Sequence, residues 1–391
     1  MLAVDLELLA ALRTAEGSAA LAAAADVAGA EPLAAATALR ARGISPALAS
    51  AALTQADLRR RATAKFGPAA AGMFFTRTGL EQATRAVVAD RRAARLRAAG
   101  AGTLADLGCG LGSDALAAAR QGLRVHAVDA DPLTAALAAA NAEAAGLAHL
   151  VTVECADATS VPVEKYDAVF ADPARRRAGR GRVMDPRSWS PPWDFIATLP
   201  ERVPRTVLKL APGIDHALLP AGAEGEWVSV DGDLVEAAFW CGPLAEVPRR
   251  ASLLPAGRQL TGSGVEAAPV GPVGAFLYDP DPAVVRSHLV AEFAAAIGGR
   301  IADEEIAYVY TDSAVDTGFG RRLEITDVLP FSLKRLRILL RDRGIGRLEI
   351  RKRGSALEPE QLRRDLRLSG SAGASLVLTR VAGAPTVLLC R

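Results

Sequence analysis

The sequence predicts an α/β fold in which a parallel β-sheet is covered by helices on both faces. Between residues 103 and 210, five short apolar runs alternate with helical stretches, which is the pattern of successive βαβ units. A glycine-rich loop follows the first apolar run. Two further apolar runs flank Asp231-Gly232-Asp233, which predicts a β-hairpin, so we expect an antiparallel pair to close the sheet.

Length and composition predict several domains. The chain has 391 residues, of which 50% are hydrophobic and 23% charged, enough for two or three globular domains. Good helix formers dominate residues 1–98, which predicts a helical region in which Thr78-Gly79-Leu80-Glu81 opens a helix running to Leu96. We expect the sheet domain over 99–245, a connecting segment over 246–320, and a small, basic α/β domain over 321–391. Residues 242–275 are rich in Pro and Gly, which predicts a linker or irregular segment there.

Several classes of protein are not indicated. No stretch reaches the roughly 18 apolar residues that a membrane span needs, and the first residues do not resemble a signal peptide, so we expect a cytoplasmic protein without a membrane partner. No metal site or disulfide framework is expected, because none of the four cysteines forms a Cys-x-x-Cys pair: Cys109, Cys155, Cys241 and Cys390. The sequence does not indicate the oligomeric state.

The charge of the chain is unevenly distributed. The net charge is +2, but residues 331–391 carry 14 Lys or Arg and 5 Asp or Glu, a local balance of +9 that leaves about −7 for the rest. A basic C-terminal domain suggests a polyanionic partner. An arginine-rich solvated surface is an equally good interpretation of the charge alone.

The loop Asp106-Leu107-Gly108-Cys109-Gly110-Leu111-Gly112 is the first candidate site. Its glycines allow a tight turn and a close approach to a ligand, and the helix that follows offers unpaired N–H groups to a carboxylate. A dinucleotide fold would show Gly-x-Gly-x-x-Gly, whereas this spacing is Gly-x-Gly-x-Gly. The acid at Asp106 is unfavourable beside a pyrophosphate but suits the ammonium group of an amino-acid-bearing cofactor.

Two acids follow the next strands. Asp129, with Ala130 after it, ends the second predicted strand, where a carboxylate can accept both ribose hydroxyls. NAD enzymes share this feature. Asp157-Ala158 follows the third strand, where the acid could reach an adenine amino group or could serve as a turn residue or cap.

The fourth candidate is Asp172-Pro173-Ala174-Arg175-Arg176-Arg177, directly after the fourth strand. Ligands bind at the C-terminal ends of parallel strands, so Asp172 would lie at the reacting group and accept a hydrogen bond from the attacking atom, while Pro173 fixes the turn. Arg175, Arg176 and Arg177 could bind phosphate or stack on a base. A solvated, partly disordered loop is the alternative.

Together, these four features resemble the class I methyltransferase family, over about residues 100–241. The resemblance implies a Rossmann-like seven-stranded sheet and S-adenosylmethionine as cofactor. It implies that the glycine loop holds the methionine part, Asp129 the ribose and Asp157 the adenine. Nucleic-acid amino methyltransferases often show Asn/Asp-Pro-Pro-Tyr/Phe at the fourth motif, where the aromatic ring stacks on a flipped base. Ala174 and Arg175 stand there in this chain, and Arg175 could stack through its guanidinium group.

The whole chain is similar to a bacterial group of methyltransferases with a helical N-terminal region and a C-terminal THUMP-like domain. The similarity lies in residues 172–176, 277–285 and 348–354. THUMP domains are associated with structured RNA, commonly tRNA, so the resemblance implies methylation of an RNA base in tRNA or rRNA. Two alternatives stay open: a nucleic-acid-binding protein with a degenerate, non-catalytic methyltransferase fold, and an NAD-dependent dehydrogenase.

Overall fold

The structure, a computed structural model, describes residues 5–174 and 189–391. The chain divides into two compact units. Unit 1 comprises Met1–Leu210, Leu218–Ala223 and Ala238–Glu246, and unit 2 comprises Ala211–Ala217, Glu224–Ala237 and Val247–Arg391. No helix within the described residues is long and apolar enough to cross a membrane. Across the same residues there is no group of three or more His, Cys, Asp or Glu that could hold a metal ion.

The first part of unit 1 is helical, as the sequence predicts. Its helices are α1 (Leu6–Leu12), α2 (Ala15–Asp26), α3 (Pro32–Ala41), α4 (Pro46–Phe66), α5 (Arg77–Gln82) and α6 (Ala86–Ala98). Asp5 and Thr14 cap α1 and α2 by accepting hydrogen bonds from first-turn N–H groups, and α3 and α4 both begin with proline. Apolar side chains of these helices, such as Leu12 and Leu58, join one hydrophobic core with the sheet of unit 1.

The prediction of a single helix from Thr78 to Leu96 is wrong, because the structure has two helices there. Helix α5 is capped by Thr76, whose Oγ1 accepts a hydrogen bond of 3.0 Å from the N–H group of Gly79. Residues 83–85 then form a short connection to α6. The carbonyl groups that end α5 are satisfied by a lysine of α4, so the chain can stop the helix without leaving buried acceptors unpaired.

Unit 1 contains a parallel sheet in the order β3-β2-β1-β4-β5. Its strands are β1 (Thr103–Leu107), β2 (Arg124–Asp129), β3 (Val151–Cys155), β4 (Ala168–Ala171) and β5 (Thr206–Leu210), and its helices are α7 (Ser113–Arg120), α8 (Pro132–Ala144), α9 (Trp193–Ile196) and α10 (Leu199–Arg202). Strand β1 pairs in parallel with β2 on one side and β4 on the other, in registers that align Leu107 with Val128 and with Ala171. The C-terminal ends of these three strands therefore meet at one edge, where the candidate residues follow them.

The predicted hairpin is confirmed. Strands β6 (Glu224–Val230) and β7 (Asp233–Trp240) neighbour one another, and both connecting residues, Asp231 and Gly232, have positive φ angles of 53° and 84°. These are the angles of a tight hairpin turn that matches strand twist. The full strand order is β3-β2-β1-β4-β5-β7-β6-β8-β9, so the expected seven strands are present and two more follow, β8 (Arg249–Leu254) and β9 (Arg258–Gly262).

The connecting segment predicted over 246–320 is in fact largely folded. Besides β8 and β9, it contains β10 (Phe276–Pro280), α11 (Pro282–Arg286), α12 (Val290–Ala296), β11 (Arg300–Ile301) and β12 (Val309–Thr311). Its glycine and proline content marks tight turns, such as the one at Gly257 (φ 68°) between β8 and β9, rather than an unstructured linker. Strand β10 pairs with the first strand of the C-terminal region, so β10, β11 and β12 belong to the same sheet as that region, whereas β8 and β9 belong to the first sheet.

Unit 2 has a second sheet of seven strands in the order β11-β12-β10-β13-β16-β15-β14. The C-terminal elements are β13 (Gly320–Pro330), α13 (Leu333–Asp342), β14 (Ile345–Lys352), α14 (Pro359–Leu366), β15 (Ala372–Val381) and β16 (Ala384–Cys390). The two amphipathic helices bury Leu336, Leu340, Leu362 and Leu366 in one core with apolar side chains of β14, β15 and β16. Strand β14 ends the sheet as an edge strand.

An aspartate joins the two segments of unit 2 that carry the family resemblance. The Asp279 carboxylate accepts a hydrogen bond of 2.5 Å from Arg351 Nη1 and one of 2.8 Å from Arg353 Nη2. Its side chain is only 14% exposed, so both charged hydrogen bonds form in a largely desolvated place. The 277–285 and 348–354 segments are therefore held together by one carboxylate between two guanidinium groups.

Three rings form a stack elsewhere in unit 2. The His216 ring lies between the rings of Trp227 and His288, with centroid separations of 4.4 and 3.9 Å. Burial, together with the neighbouring His288 and Arg249 side chains, lowers the pKa of His216 to about 4. The central ring of this three-ring stack is therefore neutral at neutral pH.

Candidate cofactor and active site

The glycine loop joins β1 to α7 and lies against the turn after β4. The N–H groups of Gly108 and Cys109 both donate to the Val128 carbonyl, at 2.9 and 3.0 Å. Gly108 has φ 87°, and a Cβ atom there would lie 2.7 Å from the backbone oxygen of Asp172. Only glycine adopts this φ angle readily and leaves room for the Asp172 backbone oxygen. The first and fourth sequence motifs are therefore in direct backbone contact. Cys109 itself is buried, which raises the pKa of its thiol well above the usual range and keeps it protonated.

Asp129 ties the end of β2 to the glycine loop. Its Oδ2 accepts a hydrogen bond of 3.1 Å from the Gly110 N–H group and its Oδ1 one of 3.0 Å from the Asp131 N–H group. Burial raises the pKa of Asp129, while these two hydrogen bonds oppose the rise. Ala130 follows in the bend before α8. The structure thus places the first and second motifs side by side.

Asp157 is mostly exposed and caps a short 3₁₀ turn. Its Oδ1 accepts hydrogen bonds of 2.8 Å from the N–H group and 2.7 Å from the hydroxyl of Thr159, which lower the pKa of the carboxyl group. Ala158, the first residue of that turn, is buried. The cap interpretation of the sequence is therefore confirmed, and contact with adenine stays a prediction.

Asp106 is fully buried at the end of β1. Neither carboxylate oxygen has a hydrogen-bond partner among the described residues. Burial, with Asp114 and Asp172 nearby, raises the pKa of Asp106 well above the usual range. An unpaired buried carboxylate below a glycine turn fits a ligand that brings a hydrogen-bond donor or positive charge to it. The neighbouring Asp114 is already paired with the buried guanidinium group of Arg92.

The sequence did not reveal the partners of Asp172. Lys209 Nζ, from β5, donates a hydrogen bond of 2.6 Å to Asp172 Oδ2 and one of 3.0 Å to Thr84 Oγ1. Thr84 is buried in the connection between α5 and α6. The available signal was a single lysine in the otherwise apolar run of β5, because a charged side chain in a buried strand needs a partner.

A buried asparagine links the helical region to the glycine loop. Asn141 of α8 is fully buried; its Oδ1 accepts a hydrogen bond of 2.7 Å from the Phe74 N–H group, and its Nδ2 donates to the carbonyls of Phe74 and Leu111 at 3.2 and 3.0 Å. The Leu111 side chain also packs at Gly79, where an added Cβ atom would lie 2.9 Å from it. Asn141 therefore joins the Leu111 end of the glycine loop to the N-terminal helical region.

The fourth motif continues into a segment that the structure does not describe. Pro173 is buried, and Ala174 pairs with Ser190 through two backbone hydrogen bonds of 2.8 and 3.1 Å, so the chain returns beside the point where it left. The predicted substrate-binding residues Arg175, Arg176 and Arg177 lie outside the described residues. Trp189, the first described residue after this segment, is buried, and its ring contacts that of Trp193 edge-to-face with a centroid separation of 6.1 Å.

A parallel sheet in this strand order, with a glycine loop after β1 and acids at the C-terminal ends of β1, β2 and β4, has the architecture of a class I methyltransferase. Residues 104–175 match a family described as a methyltransferase domain, and residues 320–391 match a family described as THUMP domain-like. Residues 5–62 match a domain of unknown function.

Relatives agree with these matches. An uncharacterized S-adenosylmethionine-dependent methyltransferase of Mycobacterium tuberculosis is 35% identical over 354 residues, covering 85% of this chain and 94% of the relative, with the same values in strains CDC 1551 / Oshkosh and ATCC 25618 / H37Rv. A candidate methyltransferase from Porphyromonas gingivalis W83, known as a crystal structure, shares the fold with a TM-score of 0.73 at 22% identity, covering 100% of this chain and 99% of that chain.

The chain therefore belongs to the S-adenosylmethionine-dependent methyltransferases. It carries a THUMP domain-like C-terminal region, and its cofactor is S-adenosylmethionine. Family membership thus decides against NAD as the cofactor and in favour of an enzyme over a non-catalytic relative of the fold.

Proposed function

We propose that the protein transfers the methyl group of S-adenosylmethionine to a base of RNA, in tRNA or rRNA. The observation that carries the choice of RNA is an arginine-lined groove at the edge of the THUMP-like domain. We also propose the residues that hold the cofactor, all at the strand ends of unit 1: Asp106, Gly108, Cys109, Gly110, Gly112, Asp129, Ala130, Asp157 and Ala158.

Each part of this cofactor site supplies a different interaction. Asp106 offers an unpaired carboxylate to the ammonium group of the methionine moiety, and the loop before α7 offers backbone N–H groups to its carboxylate. Asp129, already oriented by two backbone N–H groups, accepts the ribose hydroxyls. Asp157 and Ala158 accept and donate at the adenine edge.

The bound cofactor supplies an electrophilic methyl group, so the protein's own task is positioning. Asp172 accepts the hydrogen bond, and finally the proton, of the base nitrogen or other atom that takes the methyl group. Pro173 fixes the backbone turn beside it. The residues that hold the cofactor and the acceptor would keep the methyl group in line with the accepting atom, which favours the transfer.

The groove that supports RNA as the acceptor lies on edge strand β14 and its neighbours. It has a volume of about 730 Å³ and is lined by three arginines, Arg347, Arg363 and Arg391, with Glu349 as its one acid. Glu349 is paired with Arg321 through two hydrogen bonds of 2.9 Å, and Arg391 is paired with Glu324 through hydrogen bonds of 2.7 and 3.0 Å. The excess of positive charge therefore lies on Arg347 and Arg363. A shallow, open surface with an excess of guanidinium groups suits phosphate oxygens, which they can bind in bidentate fashion.

The first test is transfer of radiolabelled methyl groups to bulk bacterial tRNA and rRNA. Incorporation that survives protease and is lost with ribonuclease supports the proposal. A protein that binds S-adenosylmethionine but labels neither RNA pool would overturn it.

The second test measures binding of bulk tRNA at several salt concentrations. Replacing Arg347 or Arg363 by Gln should weaken binding and reduce the slope of log K against log salt by about 1 for each phosphate that the variant no longer binds. Arg341→Gln, on α13 of the same domain but not in the groove, is the matched control and should change neither. Affinity that is independent of salt would count against phosphate recognition.

A further inference from the structure

We infer that the N-terminal helical region is part of the catalytic site, because it holds the Asp172 carboxylate through two positioning residues, Thr84 and Lys209. We name these three side chains the Thr84–Lys209–Asp172 relay. The inference rests on the proposed role of Asp172, and it gives the N-terminal helical region a role in catalysis.

Lys209 has little freedom to move. It lies in β5, where the other four residues are buried, and its side chain is only 13% exposed. A buried ammonium group must find acceptors, and Nζ has them in Asp172 Oδ2 at 2.6 Å and in Thr84 Oγ1 at 3.0 Å. With Oδ2 held in this way, Asp172 Oδ1 is the oxygen without a hydrogen-bond partner in the described parts of the chain. We therefore assign Oδ1 to the acceptor.

Thr84 is fixed from the opposite side by Lys65 of α4. Lys65 Nζ donates hydrogen bonds of 2.8, 2.9 and 2.9 Å to the carbonyls of Leu80, Glu81 and Ala83, and so uses all three of its N–H groups on the turn that precedes Thr84. Burial and the positive charge of Lys209 lower the pKa of Lys65 to about 8. The helical region thus supplies a rigid support for the threonine hydroxyl.

Removal of the Thr84 hydroxyl should lower the rate of methyl transfer and leave cofactor binding unchanged. A small displacement of a group that orients the reactants costs rate steeply, because the reacting atoms must lie within a narrow range of distance and angle. Thr84 binds Lys209 through its hydroxyl, whereas the positive charge of Lys209 also acts on Asp106 of the cofactor site. We expect Thr84→Val to lower kcat by about 10-fold, with the Kd for S-adenosylmethionine within about twofold of wild type, and Lys209→Met to lower kcat by about 100-fold.

A double-mutant cycle tests the relay on the full-length protein, with bulk tRNA and radiolabelled S-adenosylmethionine as probes. If Thr84 acts only through Lys209, Thr84→Val should cost nothing further in the Lys209→Met background. Thr84→Ser keeps the hydroxyl and should restore the rate. Thr54→Val, which removes a hydroxyl bonded within α4, is the matched control and should leave kcat unchanged. Additive losses, or a Thr84→Ser variant as slow as Thr84→Val, would overturn the inference.

A second measurement needs no acceptor and therefore separates failure of this inference from failure of the proposed function. The Asp172 N–H group donates to the Leu107 carbonyl at 3.1 Å, so its hydrogen exchange reports on the turn after β4. Thr84→Val and Lys209→Met should each speed exchange in the 168–174 peptide by about threefold or more, and the double variant by no more than Lys209→Met alone. Should the wild type label no RNA, this result decides the inference, and exchange unchanged in both variants sinks it.

Discussion

Substitution of Gly108 by alanine should destabilise the protein more than alanine at any other glycine of the loop. The residue has φ 87°, and the added Cβ atom would lie 2.7 Å from the backbone oxygen of Asp172. Gly110 provides the comparison, because it also has a positive φ, 56°, but an added Cβ atom there meets nothing within 4 Å. The two variants therefore share the conformational penalty and differ in the collision.

The magnitudes can be separated on this basis. A left-handed conformation costs a non-glycine residue about 1–2 kcal/mol. That is the whole cost expected at Gly110. At Gly108 the methyl group must also displace a backbone carbonyl, and overpacking of this kind costs a further ~1–3 kcal/mol. We expect Gly108→Ala to lose about 2–5 kcal/mol of unfolding free energy, the sum of these two costs.

Denaturant unfolding of the protein without cofactor gives the comparison directly. Gly108→Ala should unfold at clearly lower denaturant than Gly110→Ala, with the same slope m. Because the displaced carbonyl belongs to Asp172, Gly108→Ala should also reduce methyl transfer to tRNA when S-adenosylmethionine is saturating. Equal midpoints for the two variants would refute the claim that the first and fourth motifs are in backbone contact.

Three further predictions follow from single contacts. Asp129→Ala should raise the Kd for S-adenosylmethionine at least about 10-fold by calorimetry, whereas Asp131→Ala, which removes a helix cap, should cost about 1 kcal/mol of stability and little affinity. Asp279→Asn should lower the unfolding free energy by about 2 kcal/mol in denaturant titrations, because two guanidinium groups lose their carboxylate; Glu358→Gln, at a 75% exposed ion pair, should change it by less than about 0.5 kcal/mol. The pKa of His216 is about 4 in the folded protein, below its unfolded value of about 6.5, so its stabilising contribution is present above pH 6.5 and is lost as the pH falls towards 4. With partial solvent screening this contribution is worth about 1 kcal/mol. His216→Phe keeps a ring in the stack and should flatten the pH dependence of the unfolding midpoint between pH 6.5 and 4.

The parallel sheet and its loop could be predicted from the sequence because both depend on local patterns. Apolar runs of strand length, glycines at a turn and an acid at each strand end are contiguous in the chain. The hairpin at Asp231-Gly232 was predictable for the same reason, since its two positive φ angles demand such residues. The placement of Asp129 beside Gly110 also followed, because neighbouring parallel strands end at the same edge.

Tertiary contacts decided the features that could not be predicted. The helix expected to run from Thr78 to Leu96 breaks because Lys65, from a different helix, satisfies the carbonyls at the break. Strands β8 and β9 were not predicted, because the turns beside them are rich in glycine and proline. Lys209 was visible as a charged residue in a buried strand, but nothing local indicates that its partners are Thr84 and Asp172, which lie 125 and 37 residues away.

The glycine motif alone is therefore an incomplete description of the site. Its loop is fixed on one side by Asp129, on another by the Asp172 backbone at Gly108, and on a third by Asn141, which also binds the Phe74 backbone. Phe74 belongs to the N-terminal helical region, and so does Thr84, which accepts a hydrogen bond from Lys209 beside Asp172. Since the helical region contacts Leu111 of the glycine loop at Gly79 and reaches Asp172 through Lys209, it can fix the distance between methyl donor and acceptor, which neither motif could set by itself.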